Sequence, residues 1–255
     1  MSKHIKFIFA SDSHGDMADP EALEALWEFC KDFKPDIRIA GGDHFDLRAL
    51  RKGAEKETGE SLRGDLDAGK DFLRRFLRPG SVYLWGNHEN RLENIISSSS
   101  SALHRDFCQD VKDEINSTAR AAGAKTILPY HAERGVFRLG PVAFIHGYKH
   151  GYRATEEQGV HYAEAGGALI HGHTHNLASV ALTKHGSGNA FSAGCLCLKE
   201  EMSYASSRLA TSRWGSGWVA GWVEGRNYKA WLTHKVGDKW AFQSEFRLFT
   251  PKSSQ

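Results

Sequence analysis

Five short apolar runs in this 255-residue chain each stop at a cluster of Asp, His or Asn, and that repeated arrangement narrows the folds open to it. Phe7–Ala10 leads into Asp12 and His14, and Ile37–Ala40 into Asp43, His44 and Asp46. Val82–Trp85 leads into Asn87, His88 and Glu89, and Val142–Ile145 into His146. Leu169-Ile170 leads into His171, His173 and His175. Each run has the length of a buried strand. Strand residues two apart point the same way, so a strand running into a loop can aim His173 and His175 at one point. Neutral imidazoles placed like this are the commonest protein metal ligands. A single such pair would be ordinary buried or surface histidines. Five strand ends carrying metal-type ligands point instead to one polynuclear site.

Composition sets broad limits. The chain is long enough to bury a core without staples, and 40% apolar with 25% charged residues is ordinary for a globular protein. A net charge of +2 argues against a strongly basic nucleic-acid binder and leaves a local basic face open. No apolar run reaches membrane-span length, and Ile5–Ala10 is too short for a signal-peptide core. The expectation is a cytoplasmic protein with no membrane partner. Cys30, Cys108, Cys195 and Cys197 contain no C-x-x-C, so neither a zinc ribbon nor a thioredoxin-type motif is indicated. All four are expected to be reduced and structural.

Along the chain, a first strand over His4–Ala10 is followed by a helix start at Asp19-Pro20-Glu21, then by a strand at Ile37. This βαβ unit implies parallel strands and a right-handed crossover. Residues 47–80 form a charged, helix-prone insertion with nine basic and six acidic residues. It reads as a solvated helix laced with ion pairs, or as a basic lid over an anionic substrate. The serines 97–101 serve as a joint or cap for a helix over 102–122. Short strands at 126–128, 136–139 and 142–145 and a weak helix at 155–165 follow. From 177 to about 250 the pattern becomes short antiparallel strands with Gly-rich turns, rich in tryptophans expected to lie in the core. No repeat or long linker divides the chain, so residues 1–255 are expected to be one domain.

In order, the clusters read Asp12-x-His14, Gly42-Asp43-x-x-Asp46, Gly86-Asn87-His88-Glu89, His146 and Gly172-His173-x-His175. This resembles the calcineurin-like metallophosphoesterase superfamily in all five signature blocks and in their order, and the texture is similar to its compact phage and bacterial members. The resemblance, with the βαβ start, implies an α/β fold of two packed mixed β-sheets, an αββα sandwich with helices on the outer faces and the metal site at strand ends. It also implies two divalent cations, manganese foremost, with iron, zinc or nickel as alternatives. Asp12, His14, Asp43 and His175 would surround the first ion. Asp43 would bridge to the second, which also takes Asn87, His146 and His173. Carboxylate, imidazole and amide oxygen together suit borderline first-row metals. A metal-bridging hydroxide would attack phosphorus in line. His88 would serve the leaving oxygen, with Asp46 holding its imidazole. His171 is expected to be a buried histidine behind the site, His44 either a site-edge residue or a bystander, and His150, His161 and His185 structural or surface residues.

Protein phosphatases of this superfamily carry Asp-Arg-Gly where this chain has Asp46-Leu47-Arg48, which disfavours that substrate class. Asn90-Arg91 and the basic insertion both favour an anionic phosphoester. The expected activity is a phosphodiesterase acting on a nucleotide or nucleic-acid strand. Alternatives are a phosphomonoesterase acting on a small metabolite or phosphoprotein, and a non-catalytic binding module on the same fold.

Overall fold

Strand β1, Ile5–Ala10, divides its side chains between two cores. Phe7 and Phe9 point one way into an apolar layer between two sheets, and Ile8 and Ala10 point the other way toward helices. This is the period-two alternation of a strand buried on both faces. The structure is a computed structural model and describes residues 4–51, 62–183, 188–198 and 213–242.

In the first sheet β1 pairs in parallel with β2, Ile37–Ala40, which pairs with β3, Ser81–Leu84, and that with β4, Ala124–Leu128. On its other side β1 meets β10, Gly217–Glu224, in antiparallel register, followed by β11, Asn227–Val236, and β12, Lys239–Trp240. The second sheet runs β5 (Phe137–Leu139), β6 (Val142–Ile145), β7 (Ala168–His171), β9 (Gly188–Ala193) and β8 (Leu177–Leu182). Both sheets are mixed. Phe144 and Ile170 of the second pack against Phe7, Phe9, Ile39 and Val82 of the first. The Phe7 and Phe144 rings meet edge-on at 5.1 Å, a favoured aromatic geometry.

Helices cover the outer faces. Helix α1, Pro20–Phe33, starts where the sequence indicates: Asp19 accepts the Glu21 N–H at 2.9 Å and Pro20 occupies the first turn. It packs Leu26, Phe29 and Cys30 onto the first sheet beside α2 (Leu62–Phe76), α3 (Asn90–Ser98) and α4 (Ala102–Ala121). Ser101 caps α4 through the His104 N–H, which gives the serine run its capping role. Helix α5, Ala154–Tyr162, covers the second sheet through Val160 and Tyr162. The expected sandwich of two mixed sheets with helices outside is what is found.

Three details refine the sequence reading. Helix α2 buries Phe72, Leu73 and Phe76, while Lys70 meets Asp67 and Glu114 and Arg75 lies over Trp27. That is the behaviour of an ion-paired covering helix. Lys52 and Lys56 lie outside the described residues, as do His185, residues 243–248 of the last expected strand and the tail 251–255. Trp218 is fully buried, stacked on Trp240 and tilted against Phe29. Trp214 instead stands 4.1 Å from the His175 ring. Among the described residues, no helix is long and apolar enough to cross a membrane.

Candidate metal centre

The loops that follow β1, β2, β3, β6 and β7 all leave from the carboxyl ends of parallel strands, three in one sheet and two in the other. In open α/β sheets this is the edge where ligands bind. The first two loops are zipped together: Asp12 N–H donates to Gly42 O, His14 N–H to Asp43 O and Gly15 N–H to His44 O, each at 3.0 Å. Among the described residues seven non-glycine residues have positive φ, and five of them are Asp12, His14, Asp43, His173 and His175. Left-handed backbone at such positions costs free energy and concentrates at functional sites.

The candidate ligands converge in two groups that share Asp43. One contains Asp12, His14 and Asp43, and the other Asp43, His146 and His173. Asn87 joins the second through its Oδ1, which lies 3.1 Å from His146 Nε2. His175 joins the first, with Nε2 at 3.1 Å from His14 Nε2 and 3.2 Å from Asp12 Oδ1. All seven sequence-predicted ligands therefore stand at one place.

The hydrogen bonds fix which ring nitrogen faces inward. His146 Nδ1 donates to the Gly41 carbonyl at 2.8 Å, so its Nε2 is the atom turned toward Asp43 Oδ2 and Asn87 Oδ1. His14 Nδ1 donates to Asp46 Oδ2 at 2.8 Å and likewise presents Nε2. A metal-binding imidazole typically engages its second nitrogen in this way. Imidazole nitrogens, carboxylate oxygens and an amide oxygen thus gather at one place, and this donor set fits divalent cations.

Charge says the same. Asp12, Asp43 and Asp46 are all buried. Burial raises their pKa values, but neighbouring imidazoles lower them further, to well below the usual carboxylate range. Burial lowers His146, yet the Asp43 charge beside it brings it up to about 9. Burial dominates at His173, pushed down to about 3. Three buried carboxylates demand positive charge, and divalent ions would supply it in place of protons.

A family model described as calcineurin-like phosphoesterase matches residues 5–177, more than half of the chain and all five clusters. The chain belongs to the calcineurin-like phosphoesterase family. That family's chemistry is metal-dependent phosphoester hydrolysis. No curated protein sequence matches the chain. Among solved structures it is similar to vacuolar protein sorting 29 from Cryptosporidium parvum, at 10% identity over 93% of this chain and 95% of that one, with a TM-score of 0.43. Wild-type Vps29 from Entamoeba histolytica, complexed with zinc, is 9% identical over 93% of this chain and 96% of that one, with a TM-score of 0.42.

Within this calcineurin-like site, His88 stands where the sequence places it, with Nε2 3.8 Å from Asp43 Oδ2. Asp46 is its partner, chiefly through the backbone. The His88 Nδ1–H donates to the Asp46 backbone carbonyl at 2.7 Å and lies 3.3 Å from the carboxylate, which is closer to His14. Burial lowers the His88 pKa, but Asp43 and Asp46 together raise it above its ordinary value. His44 is buried, stacked on Phe72 at 4.1 Å and bonded to Ser13 Oγ, with burial taking its pKa down to about 3. His171 is buried and satisfied on both nitrogens, by the Gly172 carbonyl and Thr155 Oγ1.

Sequence reasoning places Glu89 in the third cluster and links Arg91 to an anionic substrate, but gives neither of them, nor Asp65 or His150, a structural role in the site. Glu89 accepts the N–H groups of Asp43, His44 and Gly86 and the Tyr83 hydroxyl, clamping the second loop to the third. Arg91 reaches the Asp46 carbonyl at 2.7 Å and His88 Nε2 at 3.3 Å, one helical turn after His88. Asp65 accepts the N–H groups of Asp46 and Leu47 from α2. His150 Nε2 lies 3.2 Å from His173 Nε2. Only Glu89 and Arg91 carry a local signal, their place beside the Asn87-His88 block. Asp65 and His150 arrive from elements whose spacing gives none. Arg48, in the basic insertion, forms a two-pronged bridge to Asp16 at 2.6 and 2.8 Å.

Proposed function

We propose that this chain is a dinuclear metal-dependent phosphoester hydrolase acting on a phosphodiester of a nucleotide or nucleic-acid strand. The observation that carries the reading is the convergence of Asp12, His14, Asp43, Asn87, His146, His173 and His175 with His88 at one strand-end edge. Asp12, His14, Asp43 and His175 would hold one ion; Asp43, Asn87, His146 and His173 would hold the other. When bound, such ions neutralise phosphoryl charge and lower the pKa of water. The chain's own residues do the rest. Gly41 and Asp46 fix the His146 and His14 tautomers. The Asp46 carbonyl fixes His88 with its proton on Nδ1, so Nε2 is the nitrogen that can bring a proton to a leaving oxygen. Arg91 stands beside that nitrogen and can hold a non-bridging phosphate oxygen.

The Asp46-Leu47-Arg48 stretch, which departs from the Asp-Arg-Gly of the superfamily's protein phosphatases, supports the diester over a phosphoprotein. The inter-sheet core shared by both sheets supports reading residues 1–255 as one domain. The four buried cysteines, none in a disulfide, support a cytoplasmic setting.

A substrate panel on metal-stripped, manganese-reconstituted protein tests the reading. It compares bis-aryl diesters, aryl monoesters, cyclic dinucleotides and single-stranded DNA. The expected result is a kcat/KM for diesters at least tenfold above that for monoesters. The reverse order would move the assignment to a phosphomonoesterase on a metabolite or phosphoprotein. Two bound ions with no turnover on any ester would make the fold a binding module.

A further inference from the structure

Cys195-Leu196-Cys197 follows β9 and is tied to the loop that carries Asp12 and His14. The Leu196 N–H donates to Asp12 O at 3.0 Å, the Asp19 N–H to Leu196 O at 2.8 Å and the Leu198 N–H to Met17 O at 2.9 Å. An isolated β-bridge joins Ala18 to Cys197. The Cys197 backbone is therefore held in register with the first ligand loop, although 183 residues separate Cys197 from His14 in sequence. Its Sγ lies with one ring nitrogen each of His14 and His175 in a buried cluster whose atoms are all within 4.8 Å of one another.

We propose that Cys197 supplies a thiolate to the first metal position, beside His14 and His175, so that this position takes a thiophilic ion such as zinc or iron(II) ahead of manganese. The inference rests on the dinuclear reading above and names the metal class of one of its two positions. Soft thiolate ligands select such ions over manganese and magnesium, which prefer oxygen. A cysteine thiol carries its proton until an ion binds. Coordination forms the sulfur–metal bond and releases that proton to solvent, as at other thiolate sites.

Cys195 provides an internal control. It shares the same small apolar cluster with Met17 and Trp214. Its Sγ faces the Cys197 carbonyl at 3.9 Å and the Gly215 carbonyl at 3.8 Å, and it belongs to none of the ligand groups. If both cysteines were packing residues, replacing either with serine would leave the metal unchanged.

The test is a cobalt(II) titration of metal-stripped protein, read by absorbance and by bound cobalt per chain. Wild type and Cys195→Ser are expected to show the intense near-ultraviolet thiolate-to-cobalt charge-transfer band. Cys197→Ser should lose at least five-sixths of it while still binding cobalt. In competition experiments its preference for zinc over manganese should fall at least tenfold. Two cobalt ions bound to wild type without that band would overturn the proposal and leave the dinuclear reading standing, and so would an undiminished band in Cys197→Ser. Failure of wild type to bind cobalt at all would overturn both. Should Cys197→Ser not fold, the wild-type and Cys195→Ser spectra decide: a band in both supports the proposal, and its loss in Cys195→Ser overturns it.

Discussion

Asp46 serves two imidazoles with different atoms, and this division of labour fixes what its mutation should do. The carboxylate takes the His14 Nδ1–H at 2.8 Å, while the backbone carbonyl takes the His88 Nδ1–H at 2.7 Å. Asp46→Asn leaves the carbonyl in place and weakens the partner of a candidate ligand. It should lower affinity for one ion by roughly 10–100-fold and, by removing a charge that raises the His88 pKa, steepen the leaving-group dependence weakly. Metal stoichiometry at limiting metal, measured beside kcat, checks this. An unaltered metal affinity would show that Asp46 does not orient His14. His88→Ala should do the opposite, binding both ions and still cleaving a nitrophenyl ester at a modestly reduced rate. On an alkyl or sugar ester the loss should reach roughly 10²–10⁴-fold, the usual size of general-acid assistance. Parallel plots of log kcat/KM against leaving-group pKa for wild type and variant would remove His88 from the acid role.

At the scale of elements, the site depends on loops approaching more closely than side chains allow. A Cβ on Gly86 would lie 2.0 Å from Asp43 Oδ1, and one on Gly172 would lie 2.4 Å from Asp12 Oδ2. Glycine in the third and fifth clusters is therefore a consequence of loop packing, not of a turn preference. Helix α2 braces the second loop through Asp65, whose carboxyl accepts the Asp46 and Leu47 N–H groups. Burial pushes the Asp65 pKa up to about 6 against those two hydrogen bonds. A raised folded-state pKa means that the folded chain keeps this proton longer than the unfolded chain. The associated stability is complete below about pH 4 and is lost as pH rises through about 6. Wild type should therefore lose on the order of 3 kcal/mol relative to Asp65→Asn across that window. Denaturant midpoints of both proteins from pH 4 to 7 measure it. A constant difference would mean that Asp65 is ionised throughout. Of the basic side chains of α2, Lys70 meets Asp67 and Glu114 and Arg75 lies over Trp27, while Arg63 and Arg74 are exposed.

For the whole molecule, three buried carboxylates at the edge of both sheets make folding and metal binding one equilibrium. Metal present at a thousand times its Kd should add about 4 kcal/mol of stability. Chelation at pH 7 should lower the thermal midpoint accordingly, and a midpoint indifferent to chelator would separate the cluster from metal binding. The sequence alone determined the strands and the order of their polar ends, because a buried strand must be an apolar run and a metal needs Asp, His and Asn in its loops. It determined the α1 start at Asp19-Pro20 because that signal lies within a few residues, whereas the set of seven candidate ligands was implied by the resemblance to the family across all five clusters. What only the tertiary structure decided are contacts that cross the chain. Docking of α2 on the outer face of the first sheet brings Asp65 to the Asp46 loop, the neighbouring loops after β6 and β7 bring His150 against His173, and packing of the two sheets brings Cys197 beside His14. The tertiary structure also gave the Asp46 carboxylate to His14 and its carbonyl to His88. Local periodicity encodes which face of a strand is buried, but which distant side chains meet is set by how the buried faces stack.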